Sequence, residues 1–135
     1  MTLNDASKAK LVGVHPDLVK IITKAAEISD MAFVVTEGLR TLERQKQLMA
    51  VGASKTLNSR HITGHAVDLG VWVDADKDGK VDGGEIRWDW PLYLKLSKII
   101  KEAALRSGIP LEWGGDWKTF KDGPHFQLPF SKYPG

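Results

Sequence analysis

Helical and strand-like hydrophobic patterns follow one another in a mixed order along this 135-residue chain, and that order limits the fold more than any other feature. Apolar residues recur at helical spacing in residues 16–29, 41–51 and 91–107, whereas the short runs 31–35, 65–73, 111–113 and 125–128 are typical of strands. The last two strands follow the last helix and can pair with each other. The order therefore predicts an α+β fold instead of repeating parallel βαβ units.

Length and composition predict a single folded domain over residues 1–135. Hydrophobic residues make up 42% of the chain and charged residues 27%, which are ordinary proportions for a globular protein. The net charge is only +2, and the chain has no basic block interleaved with aromatic residues, so we expect no nucleic-acid partner. No apolar run reaches membrane-spanning length, so we expect no membrane insertion. A monomer is expected.

The chain contains no cysteine, so nitrogen and oxygen atoms must hold any bound metal. His61 and Asp68 lie in one short string, and Gly64 between them favours a bend next to the predicted strand. An imidazole and a carboxylate from adjacent strand ends, together with His125, can share one zinc ion and leave a fourth position for water. Such an open arrangement is typical of a catalytic zinc site.

Spacing alone leaves two alternatives open at this site. His61 could be a surface histidine and Asp68 a turn or ion-pair residue. His65 could also replace His61 as the ligand, but regular strand alternation directs its side chain away from the face of Asp68. We therefore favour His61 as the ligand, and we interpret His65 as a residue that packs against the site or supports its ligands.

Asp122 lies three residues before His125 and follows the aromatic segment 113–117. A carboxylate at this distance can take a proton from the water that attacks a peptide carbonyl and return it to the leaving amine. We predict that Asp122 is the general base. The alternative is a turn aspartate before Gly123 and Pro124, which residue preference alone favours.

The acidic segment 74–85 matches the twelve-residue pattern of a calcium-binding loop, with oxygen ligands at positions 1, 3, 5, 9 and 12 and glycine at position 6. A strand is predicted before it, whereas an EF-hand has a helix there, and a solvated acidic loop is the alternative. Because its five carboxylates repel one another without a cation, we predict calcium binding. The predicted ligands are Asp74, Asp76, Asp78, the backbone carbonyl of Lys80, Asp82 and Glu85.

Four strings in the chain resemble, in their order, those of the VanY-like metallopeptidases. The chain is most similar to the phage endolysins of that group that are L-alanyl-D-glutamate peptidases, and the resemblance extends over about residues 14–128. It implies a hedgehog and D-Ala-D-Ala-peptidase-like α+β domain, in which an antiparallel sheet with flanking helices holds zinc. The strings are Glu-Gly-Leu-Arg-Thr (37–41), Ser-x-His-x-x-Gly-x-Ala-x-Asp (59–68), Trp-Gly-Gly-Asp-Trp (113–117) and Asp-Gly-Pro-His (122–125).

The same resemblance implies a role for each matching residue. Many members of the wider group have glutamate where this chain has Asp122, which is one methylene shorter, so the backbone must set the distance from metal to base. Arg40 falls on the arginine that stabilises the oxyanion of the tetrahedral intermediate. The implied zinc ligands are His61, Asp68 and His125, the implied base is Asp122, and the predicted substrate-binding residues are Ser59, Trp113 and Trp117.

These roles imply a zinc-dependent peptidoglycan peptidase that hydrolyses the L-Ala–D-Glu bond of the stem peptide during host cell lysis. A D-alanyl-D-alanine carboxypeptidase with the same metal centre is one alternative, and a non-catalytic cell-wall binding module is another. Residues 1–10 lack the apolar stretch of a signal peptide. We therefore expect the enzyme to remain in the host cytoplasm until a membrane pore releases it to the periplasm and the cell wall.

Overall fold

The computed structural model describes residues 3–52, 59–73, 85–119 and 121–134. The described helices are α1 (Asp5–Lys10), α2 (Pro16–Ile28), α3 (Leu42–Ala50) and α4 (Trp90–Ser107). The described strands are β1 (Phe33–Glu37), β2 (Ala66–Trp72), β3 (Ile86–Arg87), β4 (Glu112–Trp113) and β5 (His125–Gln127), with a short 3-10 turn at Gly114–Asp116 after β4.

The strands form one antiparallel sheet. Its order is β1-β2-β5-β4, and β3 pairs with β2 beside this path. The hairpin-like pairing predicted for the end of the chain is present, since β4 pairs with β5. The predicted α+β fold with an antiparallel sheet and flanking helices is therefore confirmed.

Strand alternation gives the sheet two chemically different faces. Val67, Leu69 and Val71 on β2 point into the hydrophobic core, which also contains residues of α2 and α4. Asp68 lies between the first two of these residues in the strand, so its side chain points to the opposite face. His125 on β5 is the direct cross-strand partner of Asp68. The central strand thus stabilises the domain with one face and presents polar groups with the other.

Local signals set the ends of the helices close to where the sequence predicts them. Pro16 begins α2, and the side chain of Thr41 caps α3 by accepting a hydrogen bond from the backbone N–H of Arg44 at 3.1 Å. Helix α4 ends at Gly108, which has a left-handed φ of 69°. These boundaries agree with the predicted helices to within one or two residues.

The short helix α1 was not predicted, because it has too few apolar residues to show a helical period. Asn4 caps it by accepting a hydrogen bond from the backbone N–H of Ser7 at 2.8 Å. The buried hydroxyl of Ser7 in turn accepts a hydrogen bond from the backbone N–H of Val35 at 2.9 Å, which fixes α1 against β1. Tertiary contact therefore stabilises this helix more than its intrinsic propensity does.

Arg60 attaches the end of the chain to the loop before β2. Its guanidinium donates to the carbonyl of Leu128 at 2.9 Å and to that of Tyr133 at 2.6 Å, and it lies 3.9 Å from the centre of the Phe130 ring. Because Arg60 directly precedes His61, these contacts also restrain the loop that presents this histidine.

Among the described residues, no helix is both long and apolar enough to cross a membrane.

Candidate metal centre

His61, Asp68 and His125 meet on the polar face of the sheet. One oxygen of Asp68, Oδ1, lies 3.2 Å from Nε2 of His61 and 3.2 Å from Nδ1 of His125. One ligand atom from each residue lies within 4.8 Å of the other two, and no other group of three histidine, aspartate or glutamate residues in the described part of the chain does this. Loop 59–65, β2 and β5 thus each contribute one ligand.

The donor atoms of this cluster fit zinc. Tetrahedral zinc binds nitrogen and oxygen at about 2.0–2.2 Å, which places neighbouring ligand atoms about 3.3 Å apart. The two 3.2 Å separations around Asp68 are close to this value. Two imidazoles and one carboxylate also match the three-ligand sets of catalytic zinc sites. The cluster therefore has the composition and the spacing of a metal site.

Both histidine rings are fixed by a hydrogen bond on the side away from Asp68. Nδ1 of His61 lies 2.9 Å from the main-chain carbonyl of Gly38. Nε2 of His125 lies 2.7 Å from Oε1 of Gln127. Each outer nitrogen therefore donates, which directs the inner nitrogen of each ring towards Asp68.

Protonation in the metal-free protein reflects these contacts. Burial by itself would raise the pKa of Asp68, but hydrogen bonds from His125 and His61, together with their charge, outweigh it and lower the pKa far below the usual range. Burial likewise would lower the pKa of His125, but the hydrogen bond and the negative charge of Asp68 raise it. In the metal-free protein, Asp68 therefore remains ionised between the two rings.

His65 lies outside this cluster. Its Nδ1 is 2.7 Å from the hydroxyl of Thr63, and its ring lies against His15, with 5.4 Å between the ring centres, and near Tyr133, at 6.4 Å. The structure therefore brings His61, and not His65, to Asp68 and His125.

Arg40 lies beside the cluster, held by two residues that the sequence did not single out. Its guanidinium forms a two-pronged ion pair with Glu37, with nitrogen–oxygen distances of 2.7 and 2.6 Å. A third bond of 2.7 Å runs from Nη1 to Oε1 of the fully buried Gln45. Nη2 lies 3.8 Å from Oδ2 of Asp68, and Ser59 Oγ lies 3.5 Å from Nη1. The arginine is thus fixed next to a metal-ligand position.

The signals for Glu37 and Gln45 were weak. Glu37 is part of the string 37–41, but its spacing from Arg40 shows no contact by itself. Gln45 is the buried polar residue of α3, and a single glutamine in a nine-residue helix gives no pattern. Only the folded chain brings both side chains to Arg40.

Asp122 approaches the cluster from a turn held close to Gly114. The backbone N–H of Asp122 donates to the carbonyl of Gly114 at 3.0 Å, and the backbone N–H of His125 donates to that of Asp122 at 3.1 Å. A Cβ at Gly114 would lie 2.5 Å from the Asp122 carbonyl oxygen and 3.1 Å from the Cβ of His125. Only glycine permits this approach, which explains its presence in the string 113–117.

The carboxyl of Asp122 is electrostatically coupled to the cluster. Burial raises its pKa, and the negative charge of Asp68 raises it further, while the charges of His125, His61 and Arg40 act in the opposite direction. A carboxyl with a raised pKa beside a metal-ligand set is suited to accept and return a proton near neutral pH.

The two tryptophans predicted to bind substrate lie in different environments. Trp117 is half-buried, and its ring centre is 5.1 Å from that of His125, so it borders the cluster. Trp113 is only 3% exposed and stacks between the exposed Trp90 and the core residue Phe126, and its indole N–H donates to the carbonyl of Gly123 at 2.7 Å. Burial thus gives Trp113 a packing role in this structure, and its contact with the substrate stays a prediction.

Most of the predicted calcium ligands lie outside the described residues, namely Asp74, Asp76, Asp78, Lys80 and Asp82. Glu85 is described: it is 6% exposed, and its Oε1 lies 3.4 Å from the indole nitrogen of Trp72. The backbone N–H of Val73 donates to the Glu85 carbonyl at 2.9 Å, and β2 pairs with β3. Segment 74–84 is therefore bracketed by two strands, which differs from the helices around an EF-hand loop.

Comparison with known proteins relates this chain to peptidases. A sequence model described as phage L-alanyl-D-glutamate peptidase matches residues 1–128. The L-alanyl-D-glutamate peptidase of Escherichia phage T5 is 30% identical over 132 residues, which cover 96% of this chain and 90% of that protein.

Two solved structures have the same fold. The crystal structure of the Serratia marcescens L-Ala D-Glu endopeptidase ChiX superposes with a TM-score of 0.86 at 44% identity, and the match covers 100% of this chain and 95% of that one. The vancomycin resistance D,D-dipeptidase VanXYg gives a TM-score of 0.53 at 22% identity, with 88% of this chain and 53% of that one covered. The second match is informative about the fold alone.

Proposed function

The chain belongs to the phage L-alanyl-D-glutamate peptidase family, and from this membership we propose that it hydrolyses the bond between L-alanine and D-glutamate in the stem peptides of bacterial peptidoglycan. The observation that supports this activity best is the cluster of His61, Asp68 and His125, which has the ligands of a metallopeptidase on a fold shared over the whole chain with an L-Ala D-Glu endopeptidase. Peptidoglycan lies outside the inner membrane, so the proposed place of action is the periplasm or the cell wall. The proposed oligomeric state is a monomer.

Zinc is the metal that we propose for the cluster. His61 would bind it through Nε2, His125 through Nδ1 and Asp68 through Oδ1, since these are the atoms that converge. When bound, zinc supplies Lewis acidity at the substrate carbonyl and lowers the pKa of a coordinated water. The remaining chemistry depends on the surrounding side chains.

Asp122 is the proposed general base and general acid. Its position beside the cluster allows it to take a proton from the water that attacks the carbonyl carbon of L-alanine. The same proton then passes to the amide nitrogen of D-glutamate as the bond between carbon and nitrogen breaks. A pKa raised by burial favours both halves of this transfer, because the carboxyl binds the proton firmly enough to hold it and releases it to an amine.

Arg40 is the proposed electrostatic partner of the oxyanion. Glu37 and Gln45 occupy most of its donors and hold the guanidinium in one place, so it need not reorganise when negative charge develops on the carbonyl oxygen. Ser59, next to Arg40, and Trp117, next to His125, are the proposed contacts for the substrate peptide.

Digestion of purified peptidoglycan by the zinc-loaded protein, followed by mass spectrometry of the fragments, tests the proposed bond. We expect glycan fragments that end in L-alanine and peptides that begin with D-glutamate. Free D-alanine as the only product would show a D-alanyl-D-alanine carboxypeptidase instead, and intact stem peptides would leave only a binding module.

Calcium binding by segment 74–85 remains part of the proposal. Supporting observations are the sequence pattern and the closure of its two ends by the β2–β3 pair. A bound ion that prefers the folded state raises the Tm. We expect calcium, with zinc held constant, to raise the Tm of the wild type and not that of Asp74→Asn/Asp76→Asn. Calorimetry that detects no binding at millimolar calcium, where weak sites fill, would remove calcium from the proposal.

A further inference from the structure

We propose that Gln127 and Glu112 are positioning residues that hold the His125 ring with Nδ1 turned towards the metal. The proposal rests on the proposed zinc site, because the orientation of the ring matters for the activity only if Nδ1 is a ligand. Neither residue lies in the four strings that carry the family resemblance.

The three side chains form a continuous row across two strands. His125 and Gln127 are two residues apart on β5, so both point to the polar face of the sheet. Glu112 on β4 is the direct cross-strand partner of Gln127. Gln127 bridges its two neighbours: its Oε1 lies 2.7 Å from Nε2 of His125, and its Nε2 donates a hydrogen bond to Glu112 Oε2.

The carboxylate of Glu112 sets the direction of both hydrogen bonds in this row. An ionised carboxylate can only accept hydrogen bonds, so the amide nitrogen of Gln127 must face Glu112. The amide oxygen then faces His125, which obliges Nε2 of the ring to carry a hydrogen. A ring that is protonated on Nε2 in its neutral form has its lone pair on Nδ1, next to Asp68.

Glu112 therefore acts on the metal site through Gln127. Without the carboxylate, the amide could rotate by half a turn and present its NH₂ group to His125. The ring would then accept on Nε2 and carry its hydrogen on Nδ1, where the metal must bind. Burial makes this choice matter, because Gln127 is 5% exposed and His125 6% exposed, and little water is available to replace a lost partner.

The test is the zinc affinity of the full chain, measured at pH 7 by competition with a chromophoric chelator. Substitutions of residues behind a metal ligand typically cost about 10- to 100-fold in affinity. We expect a loss of about that size for Gln127→Leu and a smaller loss for Glu112→Gln. The double variant Gln127→Glu/Glu112→Gln should recover affinity, because a carboxylate at position 127 still accepts from Nε2–H of His125 and an amide at position 112 donates to it.

Glu102→Gln is the matched control, because it removes a carboxylate from an exposed ion pair with Arg106 on α4. Nitrogen NMR of the histidine rings in the zinc-free protein, recorded at a pH high enough for the rings to be neutral, provides a second measurement. We expect His125 to keep hydrogen on Nε2 in the wild type and to lose this preference in Gln127→Leu. A residue that merely joined β4 to β5 would lower the Tm with and without zinc equally, whereas a positioning residue reduces the rise in Tm that zinc produces.

The outcomes separate this inference from the proposed function. Wild-type affinity in both single variants would overturn the inference and leave the zinc peptidase intact. A wild type that binds no zinc would overturn the zinc proposal and this inference with it. If Gln127→Leu does not fold, Glu112→Gln and the double variant decide the matter: loss with recovery supports the positioning role, and unchanged affinity refutes it.

Discussion

The metal centre consists of two halves that hold their functional groups by different means. In the first half, residues 37–61, the outer nitrogen of His61 donates to the main-chain carbonyl of Gly38. In the second half, residues 112–127, the outer nitrogen of His125 donates to the side chain of Gln127, which Glu112 holds in turn. Asp68 on β2 lies between the halves and contacts both histidines.

A glutamate and a glutamine occur in each half, but they support different residues. Glu37 and Gln45 hold Arg40, whereas Glu112 and Gln127 hold His125. In the first half, the backbone carbonyl of Gly38 fixes His61, so Glu37 and Gln45 can hold Arg40. The carbonyl that holds His61 can be displaced only by moving the backbone, whereas the side chains that hold His125 can be replaced without moving it. We therefore expect substitutions in the two halves to have different effects on stability and on zinc binding.

Removing the ligand histidine of either half, in two separate variants, should have the largest effect on zinc binding and activity. His61→Ala and His125→Ala each leave two protein ligands, which hold zinc poorly. We expect both to lower zinc affinity by more than the about 100-fold upper range of substitutions behind a ligand and to abolish hydrolysis. Metal analysis after dialysis measures the zinc content, and peptidoglycan digestion measures the turnover. Full zinc content in either variant would show that the histidine removed is not needed as a ligand.

Asp122→Ala should have a smaller effect. It should lower turnover without lowering zinc content, and so distinguish the role of the base from that of the metal ligands in the second half. We expect turnover to fall by about 10²- to 10⁴-fold, the usual range for general acid–base catalysis, with zinc content unchanged. Asp116→Ala is the control, since this nearby aspartate is exposed and pairs with Lys101 at 2.8 Å. Near wild-type turnover in Asp122→Ala would remove Asp122 from the mechanism.

Gly38→Ala tests the backbone support of the first half. A Cβ at this position would lie 1.9 Å from the carbonyl oxygen of Lys10, so the chain must shift and displace the acceptor of His61. Such overpacking typically costs about 1–3 kcal/mol. We expect thermal unfolding to show a lower Tm without zinc and chelator competition to show weaker zinc binding. Gly52→Ala is the control: a Cβ there meets nothing within 4 Å, so only its left-handed φ of 75° lowers the Tm, and zinc affinity should not change. A change in zinc affinity with no loss of stability would contradict the proposed difference between the halves.

Asp122→Asn should give the smallest effect, which is a gain in stability of the metal-free protein. Burial, and then the charge of Asp68, raise the pKa of Asp122 in the folded state. Its ionisation therefore costs stability above the raised pKa, and this cost is absent below the unfolded value of about 3.9. We expect a slightly higher Tm than wild type at pH 7 and equal values near pH 3. A lower Tm at pH 7 would show that the ionised carboxyl stabilises the fold.

Much of the fold was predictable because its signals are local. Pro16 and Gly108 mark helix ends through their own backbone preferences, and the alternation along β2 separates core from site. Helix α1 and strand β3 were missed, since each is short and depends on a distant partner. The site residues suggested by the four strings lie together, but the sequence did not show which of the two tryptophans borders the cluster.

The absence of cysteine limited any metal ligands to nitrogen and oxygen, and the resemblance of the four strings pointed to His61, Asp68 and His125 as ligands and to Asp122 as the base. Only the tertiary structure decided which nitrogen of each histidine faces Asp68. That choice depends on the close approach of Gly38 to His61 and on the register between β4 and β5 that places Glu112 opposite Gln127. Hydrogen-bond direction depends on which partner is a donor and which is only an acceptor, and partners far apart in sequence meet only after the chain has folded.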